Sequence, residues 1–292
     1  MFVPILAARG GWHTAELERA LAARGARSVV RPYESLVAAV GGGSRLHAAD
    51  ENLFAADAVL ARIIPNGSLE QIIFRVDALH WLEERGVPVM NAPRAIERTV
   101  DKFYTSALLE RAGLATPQTV VCEGSDAAMA AFRAMGDVIV KPLFGSMGLG
   151  MMRVSDEDTA WRVCRALDAI RAVYYLQRAI AHEGRDIRVF VVGDRVLAAI
   201  ERRAPGWRTN LARGGTARAI ALPAEWEAMA LCAARAVGAD YAGVDLLPAR
   251  DGTVYVLEVN GIPGWRGLQE ATALDIAAAI VAHLFDRRLV PR

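Results

Sequence analysis

Cysteine is scarce and poorly spaced for chemistry. The 292-residue chain has three, Cys122, Cys164 and Cys232, with no Cys-x-x-Cys pair. That argues against a disulfide framework or a thiolate zinc site and fits buried thiols in a reducing compartment. His13, His47, His80, His182 and His283 are equally scattered, so an imidazole zinc site is not expected. Net charge is lacking too, since 34 basic residues offset 33 acidic ones to leave +1. Such a balance gives no footing for non-specific nucleic-acid binding or a polybasic membrane anchor. No uninterrupted apolar stretch is long enough to cross a bilayer. The opening "MFVPILAARGG" lacks the basic start and long apolar run of a signal peptide and reads as a first strand. A cytoplasmic protein is expected, with neither nucleic acid nor membrane as partner.

What is present is an ordinary globular composition, 53% hydrophobic and 23% charged. Residues 1–95 alternate strand and helix signals, which predicts a small parallel α/β layer. No G-x-G-x-x-G follows the first strand, so this layer reads as a scaffold with an edge for an acceptor substrate. Asn91-Ala-Pro93 then breaks the pattern, and Thr99 is placed to cap a helix running through Lys102 to Gly113. Ser125 or Asp126 is placed to cap the next helix. From residue 186 the pattern turns antiparallel, with Gly193-Asp194 as a two-residue hairpin turn. The expected division is 1–95, 96–175 and 176–292.

The segment "VLEVNGIPGW" at 256–265 puts a carboxylate and an amide at a strand tip. With a side-chain period of two, Glu258 and Asn260 share a face with Val254 and Val256. A two-residue turn at Asp251-Gly252 sets Asp245 directly opposite Glu258. Facing carboxylates repel. A shared Mg²⁺ removes the penalty, because it prefers oxygen ligands and keeps waters for phosphate to replace. A salt-bridged pair held by nearby arginines is the competing account.

Other signals concern anions. "VIVKPLFGSMGLGMMRV" sets Lys141 at a strand end before Gly145, Ser146, Gly148 and Gly150. Such glycines let backbone N–H groups approach phosphate, and the lysine supplies a point charge. A plain hairpin turn explains the glycines equally well. Lys102, near a helix start, is a second phosphate candidate. "LQRAI" at 176–180 offers an edge for adenine with Gln177 as a polar handle, and Asp186 an acceptor for ribose. Surface exposure is the default for each. Arg202, Arg203, Arg208, Arg213 and Arg218 stand against Glu201 in a glycine-rich stretch, which suits a loop closing on a carboxylate or phosphoryl group.

In order, Lys102, Lys141 with its glycine loop, "QRAI", "GVDLL" and "LEVN" resemble the ATP-grasp carboxylate–amine ligases. "ERRA", "WRTNLARGG" and "EVNGIPGW" resemble the RimK-like glutamate ligases among them, with the tryptophan closest to the tetrahydromethanopterin-pathway branch. The resemblance spans roughly residues 95–285 and implies an α/β (α+β) ATP-grasp fold behind a Rossmann-like N-terminal domain. It implies ATP and Mg²⁺ as cofactors, typically two ions bridged by Glu258, with Mn²⁺ as a substitute. Lys102, Lys141, Ser146, Gly148, Arg208 and Asn210 would meet ATP phosphates or the acyl phosphate. Gln177, Arg178, Ala179 and Ile180 would line the adenine site, and Asp186 would meet ribose. Asp245, Glu258 and Asn260 would hold the metal, and Arg202 and Arg203 a substrate carboxylate. Lys102, Lys141 and Arg208 would stabilise the transferred phosphoryl. Gln177 stands where many members have Glu, and the arginine loop is short.

The implied reaction phosphorylates an acceptor carboxylate, and the amine of L-glutamate then displaces phosphate. A homo-oligomer is compatible with this reading. Two alternatives stay open, an ATP-grasp kinase acting on a metabolite and a nucleotide-binding regulatory protein without turnover.

Overall fold

The computed structural model describes residues 1–145, 148–204, 206–207 and 216–288. β1 (Phe2–Ala7), α1 (Trp12–Ala22) and β2 (Arg27–Pro32) open the chain. A small antiparallel meander follows, β3 (Leu36–Ala39), β4 (Arg45–Ala48) and β5 (Glu51–Asn52), which the strand–helix alternation did not announce. β6 (Val59–Ala61), α2 (Leu69–Glu84), β7 (Val89–Met90) and α3 (Pro93–Val100) complete the first layer. Its sheet runs β2-β1-β6-β7, all parallel. Period two sorts β1 cleanly. Val3 and Ile5 pack with α1 and the C-terminal helix, while Leu6 packs with Val59, Leu79 and Leu82.

The expected helix capped by Thr99 is instead two helices. Pro93 starts α3, where a missing N–H costs nothing. Thr99 lies inside α3, its hydroxyl donating to the carbonyls of Ala95 and Ile96. Asp101 caps α4 (Lys102–Arg111) by accepting from Tyr104 N at 3.0 Å. The cap places Lys102 at the first helical position.

β8 (Thr119–Cys122), α5 (Ser125–Met135), β9 (Val138–Lys141), β10 (Met152–Val154), α6 (Glu157–Ala169) and β11 (Tyr174–Arg178) form a second unit. Gly124, not Ser125 or Asp126, is the N-cap of α5, and no side chain caps it. The sheet runs β10-β9-β11-β8, all antiparallel. Val138, Val140, Tyr174 and Leu176 pack beneath α5 and α6. Alternation leaves Ile139, Lys141, Tyr175 and Gln177 on the opposite, open face. The expected division at 175/176 falls inside β11.

β12 (Arg185–Val192), β13 (Arg195–Arg203), β14 (Thr216–Ala219), α7 (Ala224–Val237), β15 (Tyr241–Pro248), β16 (Val254–Asn260), α8 (Arg266–Thr272) and α9 (Ile276–Arg288) form the third. The sheet runs β14-β13-β12-β15-β16, all antiparallel. Val192 pairs with Arg195, so Gly193-Asp194 is the expected tight turn, and Gly193 has the positive φ of 58° it requires. α7 covers one face of this sheet. α4 contributes Leu108 and Leu109 to the same core as Ile187, Val189 and Val244, so it packs with the third unit. On the other face Phe190, Ile200, Tyr241 and Trp265 share a core with β1, α1 and α9, which joins the first and third units.

β16 departs from simple alternation. Pro248 pairs with Val254, so residues 249–253 form the connection, longer than two residues. An irregularity between the pairs Asp245–Glu258 and Leu246–Val256 leaves Leu257 as the extra residue. The bulge shifts the phase. Val256 and Val259 both enter the α7 core, and Glu258 and Asn260 therefore do not share a face with Val254 and Val256 as expected.

Candidate active site

A cleft opens between the uncovered face of the β9–β11 sheet and the end of the β12–β15–β16 sheet. Its walls include Lys102, Lys141, Gly145, Gly148, Asp186, Arg202, Asp245, Glu258 and Leu257. Thr99, Tyr175 and Asn260 extend it toward α4. Gln177, Arg178, Ala179 and Ile180 line its other end with Met151, His182 and Trp207.

Lys141 ends β9 beside Tyr175 on β11, its ammonium 5.8 Å from that ring. It donates to Gln177 Oε1 at 2.6 Å. Gln177 donates in turn to Thr119 Oγ1 at 3.1 Å and to the Tyr175 hydroxyl at 3.2 Å. That hydroxyl lies 3.0 Å from Ser106 Oγ on α4. The polar side of β11 is thus a fixed relay aimed at one ammonium. Burial lowers the Lys141 pKa to about 8, with Glu258 opposing the shift and Lys102 adding to it. Lys102 reaches the same space from the first turn of α4 and donates to the carbonyls of Leu143 (3.2 Å) and Gly145 (2.9 Å). Burial lowers its pKa as well, against the pull of Glu258 and Asp101.

Asp245 stands opposite Glu258, as expected. Its side chain is 4% exposed and that of Glu258 is 38% exposed. Arg188 chelates Asp245 with Nε and Nη2, the latter at 2.7 Å. Arg202 Nη2 adds a third contact at 2.9 Å and holds Asp186 through two 2.6 Å bonds. Burial alone would raise the Asp245 pKa, but the two guanidiniums hold it well below the usual carboxylate range. Burial likewise works against charge on Arg202, and Asp245 and Asp186 more than restore it. The salt-bridged account is therefore realised at Asp245, while Glu258 stays open to the cleft. Asn260 donates to Glu258 Oε1 at 3.0 Å and to the Gly243 carbonyl at 3.4 Å, which turns its amide oxygen away from both. Two carboxylates and an amide oxygen, one carboxylate accessible, are a donor set that fits a hard divalent cation.

The arginine pair divides. Arg202 is buried inside the charge ladder. Arg203, one residue on, points to the other face and pairs with Glu201 at 2.6 Å, alongside Arg185 and Arg218. Ser146, Arg208 and Asn210 lie outside the described residues. Sequence reasoning missed Arg188, Tyr175 and Thr119. Arg188 was legible, since it follows Asp186 by two in a strand and so shares its face.

A model of the RimK-like ATP-grasp domain matches residues 99–284. The chain belongs to the RimK-like ATP-grasp family. Among relatives of this RimK-like protein is a tetrahydromethanopterin:alpha-L-glutamate ligase of Methanosarcina acetivorans, 36% identical over 78% of this chain and 79% of that one. A probable alpha-L-glutamate ligase of Sodalis glossinidius is 33% identical over 94% and 93%. In three dimensions the RimK-like fold superposes on the ATP-grasp ligase PsnB complexed with minimal precursor (TM-score 0.76, 23% identity, 98% of each chain). A RimK domain ATP-grasp protein from Sphaerobacter thermophilus gives a TM-score of 0.75 at 23% identity, over 98% of this chain and 100% of that one. Among the described residues no single helix is long and apolar enough to cross a membrane.

Proposed function

We infer that this protein is an ATP-dependent carboxylate–amine ligase that adds L-glutamate to an acceptor carboxylate through an acyl phosphate. The observation that carries the reading is the convergence of Lys102 and Lys141 on one wall with Asp245, Glu258 and Asn260 on the other. Positive groups that would meet a triphosphate face an oxygen-rich set that would meet its counter-ion. The relatives named as glutamate ligases cover most of the chain and supply the choice of amine.

Asp245, Glu258 and Asn260 would hold Mg²⁺, which when bound would screen the β- and γ-phosphates and the leaving oxygen. Lys141, pinned by Gln177, would neutralise charge on the phosphoryl as it moves. Lys102 would give up the Leu143 and Gly145 carbonyls for phosphate oxygens, which ties the glycine loop to nucleotide arrival. Gln177 to Ile180 would meet adenine and Asp186 the ribose. Arg208 and Asn210 stay assigned to the phosphates. The protein positions reactants and excludes water from a labile acyl phosphate, and it needs no nucleophile of its own. The acceptor we favour is a small cofactor-precursor acid of the tetrahydromethanopterin type, after the methanogen relative.

The test is a screen of carboxylic acids with ATP, Mg²⁺ and L-glutamate, read by phosphate release and product mass. Glutamate-dependent ADP formation with a glutamylated product is expected. A phosphorylated product without glutamate would make the protein a kinase, and nucleotide binding without ADP would make it a sensor.

A further inference from the structure

Two carboxylates facing each other across β15 and β16 need a counter-charge even when no cation is bound. The chain supplies one through a missing side chain. Gly243 lies two residues before Asp245 on β15 and pairs with Asn260. A Cβ there would stand 3.1 Å from Arg188 Cδ, 3.4 Å from Arg188 Nη1 and 3.1 Å from Pro263 Cβ. Glycine thus leaves the slot that Arg188 fills, between β15 and the loop after β16. From it the guanidinium chelates Asp245 and sets Nη2 3.8 Å from Glu258 Oε1.

We propose that Arg188, seated over Gly243, is a positioning residue that stands in for the cation in the metal-free site and limits how tightly a divalent cation binds there. The inference rests on the ligase reading only for the identity of the cation site. Asp245 Oδ2 accepts from both Arg188 Nη2 and Arg202 Nη2, and Oδ1 accepts from Arg188 Nε. A carboxylate oxygen has two lone-pair sites, so Oδ1 is the atom Asp245 can still offer. Arg188 and Arg202 together therefore hold Asp245 by Oδ2 and leave Oδ1 to face a cation. Its charge keeps Asp245 and Glu258 from forcing their strands apart, and it opposes an incoming cation at the same oxygens.

The experiment uses the nucleotide-free full chain and Mn²⁺ as probe. Free Mn²⁺ is followed by electron paramagnetic resonance, and melting temperature is recorded with EDTA and with Mn²⁺. Arg188→Gln removes the charge and is expected to melt lower in EDTA, to recover most of the deficit with Mn²⁺, and to bind Mn²⁺ on the order of tenfold more tightly than wild type. Arg188→Lys, which keeps the charge, should bind as wild type does. Gly243→Ala keeps Arg188 but crowds its Cδ at 3.1 Å and loosens its seat, and should also tighten Mn²⁺ binding, so the test survives if Arg188→Gln does not fold. Mn²⁺ affinity in Arg188→Gln or Gly243→Ala no tighter than wild type overturns the proposal, as does an EDTA deficit that Mn²⁺ leaves unchanged. Either result, with ATP turnover still abolished by Glu258→Gln, removes this inference and leaves the ligase reading in place.

Discussion

Asp245 and Glu258 face each other across β15 and β16 although the connection between the strands is not the two-residue turn that would put them there. The longer connection shifts the register by one residue, and the bulge at Leu257 shifts it back. Beyond the bulge the pair sits where an unbroken hairpin would have set it. Before the bulge every side chain changes face. The bulge is what lets Val256 and Val259 both enter the α7 core while Leu257 and Glu258 both line the cleft. Bulges concentrate near active sites for this reason, since they re-aim a side chain without ending the strand.

Glu258 is the more accessible carboxylate of the pair; it accepts from Asn260 Nδ2 at 3.0 Å and lies 3.8 Å from Arg188 Nη2. Glu258→Gln keeps the shape and removes the charge. Phosphate release in the presence of Mg²⁺ is expected to fall by about 100-fold or more, with the melting temperature close to wild type. Turnover at the wild-type rate would refute the role of this residue at the cation.

Lys141 makes nucleotide binding sensitive to alkaline pH. Its folded pKa is about 8, below the free value of 10.5, because burial penalises the charged form. The penalty on folding is complete below about pH 8 and fades toward 10.5, so Lys141 by itself makes stability rise with pH across that window. Phosphate binding has the opposite sign, because it needs the ammonium. ADP affinity is expected to weaken as pH climbs through about 8, by up to about tenfold per pH unit. Calorimetric titrations at successive pH values measure the slope. Lys141→Met should bind more weakly with a flatter profile, and an unchanged slope would assign the titration to another group.

The residues legible in the sequence were those whose position depends on neighbours a few places away. Lys141 and Gln177 converge because both sit on the open face of adjacent strands, and Lys102 because a helix starts under it. Gly193-Asp194 announced its hairpin through local backbone preference. What failed depended on phase or on competition between neighbours. The resemblance gives both Arg202 and Arg203 to a substrate, yet adjacent strand residues point to opposite faces, and of the two Arg202 turns to the cleft. Thr99 lost the cap to Asp101 because its own hydroxyl satisfies carbonyls within α3. Arg188 is placed on the face of Asp186 by its two-residue spacing, but its seat over Gly243 depends on an absence, the side chain that glycine lacks.

His13 predicts an acid-side instability. Its Nε2 accepts from Trp265 N at 3.1 Å, so the folded ring is held neutral. Burial, then the charges of Arg62 and Arg266, lower its pKa from 6.5 to about 4. The unfolded chain binds the proton first as pH falls, so stability should be lost between about pH 6.5 and 4. His13→Gln retains an acceptor without the proton-binding site. Its melting temperature should decline less steeply than wild type over that range in thermal scans, and parallel slopes would show that other groups drive the acid transition.

Asn91 fastens the first unit to the loop that carries the site. It is fully buried. Its Oδ1 accepts from the backbone N–H of Asp240 at 2.6 Å and of Tyr241 at 3.1 Å. Its Nδ2 donates to the carbonyl of Tyr241 at 2.8 Å and to that of Gly261, the residue after Asn260. One side chain thus satisfies backbone groups at the start of β15 and just beyond the end of β16, the two strands that present Asp245 and Glu258. Asn91→Ala leaves those groups without partners in a dry interior, at a cost of roughly 3–5 kcal/mol. Asn91→Asp keeps the acceptor side and loses the donors, and it adds a buried charge, so it should be no better tolerated. Urea unfolding measures both. The further expectation is that Asn91→Ala, where it still folds, weakens Mn²⁺ binding, because the loop after Asn260 is no longer held in place. Wild-type stability in Asn91→Ala would mean that water replaces the amide, and the first unit would then not be the anchor of the site.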